Sequence, residues 1–418
     1  MNDIIVIGAG ASGMMAALKA SELGKRVLLI EKMEQPGRKL RITGKGRCNL
    51  TNTAPLKEFI THVGSDGRFV RNCFSRFFNQ ELMDFFEQHD VPLVVERGSR
   101  VFPASGKSLD IFLALINTLE KNPLVTIRKN ISVTKLFVSE GRITGVRLSD
   151  GSCESAHKVI LCTGGKSYPS TGSTGDGYRL AEEVGHTIVP CVPSLVALTC
   201  AEPIPQELIG FGLKNVSLTV MLESGKILGS FFGEMTFTED GITGPIVLSA
   251  SRIASRPIAE NQPLQVRIDL KPALETEKLD KKIINDLDSN GNRLFHDALR
   301  LWLPAELIPL ALERLKIEKF KRLNQINGAE RKKLLQFLKG LNFTLTGTRG
   351  WDEAIVTQGG ISLKEVNPKT MESKIVQGLY LAGEVLDLDA DTGGYNLQIA
   401  FSTAYSAAHF ACGVEPTK

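Results

Sequence analysis

Three glycines and one acid have the spacing of a dinucleotide-binding turn. Gly8, Gly10 and Gly13 form G-x-G-x-x-G, with Ala11 and Ser12 between them, and Glu31 follows eighteen residues after Gly13. In such a turn Gly8 permits the tight reversal, Gly10 lets the backbone approach a pyrophosphate, and Gly13 lets a helix pack closely on a strand. The phosphates then rest on the helix N-terminus, and the acid accepts hydrogen bonds from a ribose diol. The elements that must hold these residues are present in the right order. Residues 4–7 are an apolar, β-branched run that reads as a buried parallel strand. Residues 14–23 carry a helical apolar pattern that ends near Gly24, and residues 27–30 form a second apolar strand that stops at Glu31.

Three further stretches carry residues suited to the same ligand. Residues 36–52, PGRKLRITGKGRCNLTN, read as a loop in which Arg38, Lys39, Arg41 and the Gly44/Gly46 pair offer cations and free N–H groups to phosphate and flavin edges. A buried strand over 159–162 ends in Thr163, Gly164 and Gly165, small residues that let a cofactor approach its carboxyl end. A strand over 378–382 ends at Gly383 and Glu384, and Gly393, Gly394, Tyr395, Asn396 and Leu397 introduce a last helix rich in small side chains. No second G-x-G-x-x-G with a later acid occurs, so a separate NAD(P)H domain is not expected. No Ser-His-Asp, metal-binding or paired-carboxylate constellation is recognisable, and lone histidines such as His186 and His409 read as structural; the catalytic residue stays unassigned.

The remaining segments divide by periodicity. Helices are expected around 80–89 and 107–121, then strands in an antiparallel meander from Val125, with turns at Glu140-Gly141 and Asp150-Gly151. Residues 194–270 alternate short strands with turns, as a small β-barrel or sandwich would, and 272–341 turn helical, in about four short helices.

Composition bounds what the chain can be. Its 418 residues imply two or three domains, and 42% hydrophobic with 23% charged residues is a globular balance. A formal net charge of +4 gives little reason to expect a nucleic-acid partner. Residues 314–339 do carry nine Lys/Arg against two Glu, which reads first as a solvated helical face. The seven cysteines are scattered without a C-x-x-C pair, as reduced thiols would be, and argue against a disulfide reductase or zinc site. With no stretch of eighteen apolar residues and a strand beginning at residue 4, neither membrane span nor signal peptide is expected, and the location read from this is cytoplasmic.

With these motifs in view, the chain resembles the YhiN/BaiN-like bacterial flavoproteins, a family of two-dinucleotide-binding-domain type that includes aminoacetone oxidases and a bile-acid dienone reductase. The resemblance covers essentially the whole chain. It rests on GAGASG at 8–13, PGRKLRITGKGRCNLTN at 36–52, TGG at 163–165, FTEDGITGP at 237–245, the stretch 357–389 and TGGYNLQIAFSTA at 392–404. It implies FAD, its ADP half held by Gly8 to Gly13, Glu31 with Lys32, and the Arg38-Lys39 pair. It also implies an adenine contact at Val133, flavin-half contacts from Gly46, Arg47, Cys48 and Asn49, Glu384 on the ribityl or pyrophosphate region, and Asn396-Leu397 at the pyrimidine edge of the ring. The implied architecture is an α/β Rossmann-like FAD-binding domain, discontinuous over 1–190 and 351–418. Into it are inserted a β-barrel-like domain (191–271 with 341–350) and a helical domain (272–340), with the substrate between domain and inserts. The implied activity is FAD-dependent oxidoreduction of a small organic molecule by hydride transfer at flavin N5, as an amine-type oxidase or as a reductase with NAD(P)H as transient electron donor. A flavin-dependent RNA-modifying enzyme and a non-catalytic FAD-binding protein are the alternatives. Oligomeric state is not legible.

Overall fold

The computed structural model describes residues 2–64 and 67–415, which divide into two compact units: residues 1–193 with 354–418, and residues 194–353. At the centre of the first unit is a five-stranded parallel sheet in the order Leu379–Leu381, Val159–Leu161, Ile4–Ile7, Val27–Ile30, Val125–Arg128. Its central strands are buried at every residue, which is why they read as unbroken apolar runs rather than alternating ones. Register is continuous across the middle, Val6 lying opposite Ile160 on one side and Leu29 on the other. The first helix, Ala11–Glu22, packs along the last, Tyr395–Ala411, where Ala16, Ala17, Ala20, Ala404, Ala407 and Ala408 are all fully buried. Small side chains on both partners let the two backbones approach. The unit also holds two antiparallel three-stranded sheets, one of Thr51–Asn52, Arg100–Pro103 and Leu93–Glu96, the other of Val133–Ser139, Arg142–Leu148 and Cys153–Ser155.

Two expectations change here. Residues 36–52, expected as a loop, contain a helix, Arg38–Gly46, and a short strand. The helix is broken at Thr43, Gly44 and Lys45, the last two left-handed with φ of 57°, so the glycines produced a kink instead of abolishing the element. The strand Val125–Arg128, expected to open the antiparallel meander, pairs in parallel with Val27–Ile30 instead. It lies at the sheet edge, half-exposed, and so lacks the apolar signature of a central parallel strand.

The second unit is built on a closed six-stranded barrel: Leu198–Cys200, Gly241–Thr243, Ile227–Phe237, Gly212–Leu222, Leu264–Asp269 and Leu341–Thr348, which returns to pair with the first. A helix the sequence had not signalled, Pro245–Ala259, packs against the barrel; Pro245 occupies its first position, where a missing N–H costs nothing. The helices Thr276–Ser289, Ile308–Leu315 and Gly328–Lys339 share one continuous core with the barrel, in which Phe237 and Phe343 meet edge to face and Trp302 is buried. The Trp302 indole N–H is satisfied by Asp286 Oδ2 at 2.8 Å.

Candidate cofactor and redox site

The glycine turn is fixed by contacts that admit no side chain. Gly8 sits at φ +94°, and a Cβ there would stand 2.6 Å from the Cys162 carbonyl oxygen. A Cβ on Gly13 would stand 1.8 Å from the Gly8 oxygen. Gly10 differs: no atom lies within 4 Å of where its Cβ would be, so its smallness serves the open space in front of the helix and not packing. The first rung of that helix is Met14 N to Gly10 O, which leaves the N–H groups of Ala11, Ser12 and Gly13 ahead of the ladder.

Glu31, 9% exposed, closes the turn on the other side. Its Oε2 accepts from Ala9 N at 2.7 Å and its Oε1 from Met33 N at 2.9 Å. A carboxylate has about four acceptor positions, so each oxygen keeps one for a ribose hydroxyl. Open space at a helix N-terminus, beside a backbone-anchored carboxylate, fits the pyrophosphate and adenosine ribose of FAD.

A second set of groups gathers at the carboxyl ends of the neighbouring strands. Glu384 accepts from Lys39 Nζ at 2.9 Å, Ser167 Oγ at 2.8 Å and Thr357 N at 2.8 Å. Lys39 also donates to Ser167 Oγ at 2.6 Å, and the Thr357 hydroxyl accepts from the N–H groups of Lys166 and Ser167. Gly165 makes room for this cluster, since its Cβ would stand 2.2 Å from Thr357 Oγ1. Gly383, at φ +79°, is small because Ser12 Oγ would lie 2.6 Å from its Cβ. Thr163 Oγ1 is buried with no hydrogen-bond partner among the described residues.

At the start of the last helix, a Cβ on Gly394 would stand 2.3 Å from Thr51 O, and φ there is +99°. The Asn49 amide, oriented to satisfy both neighbours, donates to Thr51 O and accepts from Gly394 N, each at 3.2 Å. The first rung of this helix is Gln398 N to Gly394 O, so the N–H groups of Tyr395, Asn396 and Leu397 precede the ladder. The Asn396 side chain is turned to its own loop, donating to the Ala390 and Asp391 carbonyls and accepting from Ala390 N.

The structure thus brings Gly8, Gly10, Gly13, Glu31, Ser12, Lys39, Gly164, Gly165, Gly383 and Glu384 to the carboxyl end of the parallel sheet. The other residues of the expected set have surroundings of their own. Lys32 pairs with Asp176 at 2.6 Å. Arg38 is exposed, and the Val133 side chain is in the core, which leaves only its backbone to offer. Arg47 pairs with Glu96 and lies 4.5 Å over the Phe102 ring. Cys48 is fully buried at φ +56°, and burial pushes its thiol up to about 12, so it is neutral. Sequence reading missed Ser167, Thr357 and Tyr178, whose hydroxyl donates to Glu384 O at 3.3 Å. It also missed His62, whose Nδ1 is 2.9 Å from Asp391 Oδ2 and whose ring stacks on Tyr395 at 4.4 Å. Isolated serines, threonines and a histidine carry no spacing signal.

Comparison with known proteins follows from this geometry. The HI0933-like protein Rossmann domain matches residues 2–410. The chain belongs to this family. A 3-dehydro-bile acid delta(4,6)-reductase from Clostridium scindens is 34% identical over 98% of this chain and 99% of its own. A ribosomal RNA dihydrouridine synthase from Escherichia coli (strain K12) is 31% identical over 97% of each chain. Among solved structures, the open conformation of a flavocytochrome c3 fumarate reductase aligns with TM-score 0.49 and 16% identity, over 99% of this chain and 78% of that one. As a member of the family, the chain is an FAD-dependent oxidoreductase with a Rossmann-type FAD-binding fold. No helix among the described residues is long and apolar enough to cross a membrane.

Proposed function

We propose that the protein reduces a carbon–carbon double bond conjugated to a carbonyl in a small organic molecule, with NAD(P)H as electron donor. The flavin supplies the redox chemistry when bound, passing a hydride through N5. Hydride goes to the carbon β to the carbonyl and a proton to the α carbon, while NAD(P)H and one proton are consumed.

The observation that carries the reading is the convergence of the glycine turn, Glu31 and the Lys39–Ser167–Thr357–Glu384 cluster at the carboxyl end of the parallel sheet. The activities of the two full-length relatives support it by sharing this chemistry: a conjugated dienone in one, and in the other a uracil ring whose 5,6 double bond is conjugated to a carbonyl. The 31% relative is the observation that favours RNA as a second substrate reading. For the proton, the side chain best suited is His62, oriented by Asp391 and stacked on the first residue of the helix whose start the family resemblance puts at the flavin ring.

The test is anaerobic stopped-flow mixing of the FAD-loaded protein with NADH, NADPH or a panel of amines, followed by reoxidation with conjugated enones, their saturated ketones, or oxygen. The expected outcome is reduction by a nicotinamide and reoxidation by an enone but not by the saturated ketone. Reduction by an amine with reoxidation by oxygen alone would replace this reading with an amine oxidase.

A further inference from the structure

In the unit 194–353, residues 291–296 and 319–324 run antiparallel. Leu294 and Arg322 form a bridge, Phe295 N donates to Lys321 O at 2.8 Å, and Leu323 N donates to Arg293 O at 3.0 Å. Phe295–Ala298 and Leu323–Gln325 are helical on either side of this bridge, and side chains of the two segments meet at the surface. Two contacts bear this out: Arg322 Nη1 lies 3.4 Å from Asn292 Oδ1, and the His296 ring meets Phe320 edge-on at 5.5 Å.

The face has an unusual content for a solvated surface. Phe320 is 57% exposed, with Lys319 Nζ 4.8 Å from its ring centre. Lys319 and Arg322 are exposed and form no ion pair among the described residues, whereas Lys321 is neutralised by Glu330 and Arg331 by Asp280. Glu318 is next to Lys319 in the chain, and Asp297 is held 3.1 Å from His296 Nε2. A solvated helical face accounts for the cations but not for a phenylalanine ring held out among them.

We infer that this face docks unpaired nucleotides of RNA, with a base stacked on Phe320 and phosphates on Lys319 and Arg322. Every base presents a π-face, an exposed aromatic among cations is the recurring platform for single strands, and the Asn292 amide beside Arg322 can meet a base edge. An acidic protein segment would use the cations but leave the ring unemployed. The inference does not depend on which molecule the flavin reduces, because binding is read without turnover.

Fluorescence anisotropy of the full-length, FAD-loaded protein with a labelled twelve-nucleotide uridine-rich RNA tests it. Two phosphate contacts predict a slope of log affinity against log salt of about −1.4. Phe320→Ala should weaken binding roughly five- to a hundredfold with the slope unchanged, and Phe320→Tyr should restore it. Arg322→Ala should reduce the slope by about 0.7. Flavin reduction by NAD(P)H and the melting temperature should match the parent in all three, since these side chains are at the surface. The proposal is overturned if the RNA is not retained at low salt, if Phe320→Ala binds as the parent does, or if an RNA duplex or a glutamate-rich peptide binds as tightly as the single strand.

Discussion

At the residue scale, Glu31 has two tasks that pull on different measurements. Its carboxylate satisfies two backbone N–H groups and keeps acceptor positions free for a ribose. Glu31→Ala should therefore weaken FAD retention about ten- to a hundredfold and also destabilise the apoprotein by about 1–3 kcal/mol, because buried donors lose their acceptor. Glu31→Gln, which keeps one carbonyl oxygen, should recover part of the stability. Flavin titration and apoprotein melting separate the two, and an apoprotein unaffected by Glu31→Ala would show that the N–H groups find other partners. His186 gives a pH prediction. It is 3% exposed, with Ser373 Oγ at 2.8 Å from Nε2 and Glu365 Oε2 at 3.1 Å from Nδ1. Burial holds its pKa below the ordinary value, against the opposing pull of Glu365. His409, between Lys19 and Glu22, is lowered mainly by burial too. A group whose folded pKa is depressed binds fewer protons folded than unfolded, so its stabilisation is present above about pH 6.5 and is lost as pH falls through the folded value. The melting temperature should fall from pH 7 toward pH 5, and His186→Gln should flatten that decline. An equal slope in the variant would place the acid sensitivity elsewhere.

At the element scale, two helix starts are held in different ways. The last helix begins at Gly394, whose left-handed backbone and contact with Thr51 O exclude any Cβ. Gly394→Ala should cost about 1–3 kcal/mol in backbone strain alone and displace the strand Thr51–Asn52. An apoprotein that melts like the parent would show that Thr51 can move aside. The helix Gly328–Lys339 is capped by side chains. Asn327 Oδ1 accepts from Ala329 N and Glu330 N at 3.0 Å each, and the Glu330 carboxylate accepts from Asn327 N at 2.9 Å. Asn327→Ala should destabilise by about 0.5–2 kcal/mol without changing FAD binding, as read by melting and flavin titration.

At the scale of the whole molecule, the two compact units make separate demands. Residues 194–353 possess their own core, with barrel strands and helices packed together. Expressed alone, this stretch should fold cooperatively and stay colourless. The complementary chain, residues 1–193 joined to 354–418 by a short glycine linker, should take up FAD and release FAD, not FMN, on denaturation. Loss of flavin from the joined chain would show that the cofactor site is not complete within it.

The sequence by itself determined the parts that depend on local chemistry. Gly8, Gly10, Gly13 and Glu31 announced the turn because each is demanded by backbone geometry or by a ligand group at fixed spacing. The central strands were legible as unbroken apolar runs because both their faces are buried, and the barrel strands by alternation because one face is. Tertiary structure alone decided the rest. It joined Ser167 and Thr357, distant in sequence, on one carboxylate, and it set His62 beside Asp391. It also assigned Val125–Arg128 to a parallel edge and made a kinked helix of residues 38–46. In each of these the deciding interaction is long-range. A hydroxyl, an imidazole or a half-exposed strand carries no periodic mark of its partner, and becomes specific only when folding brings the partner into reach.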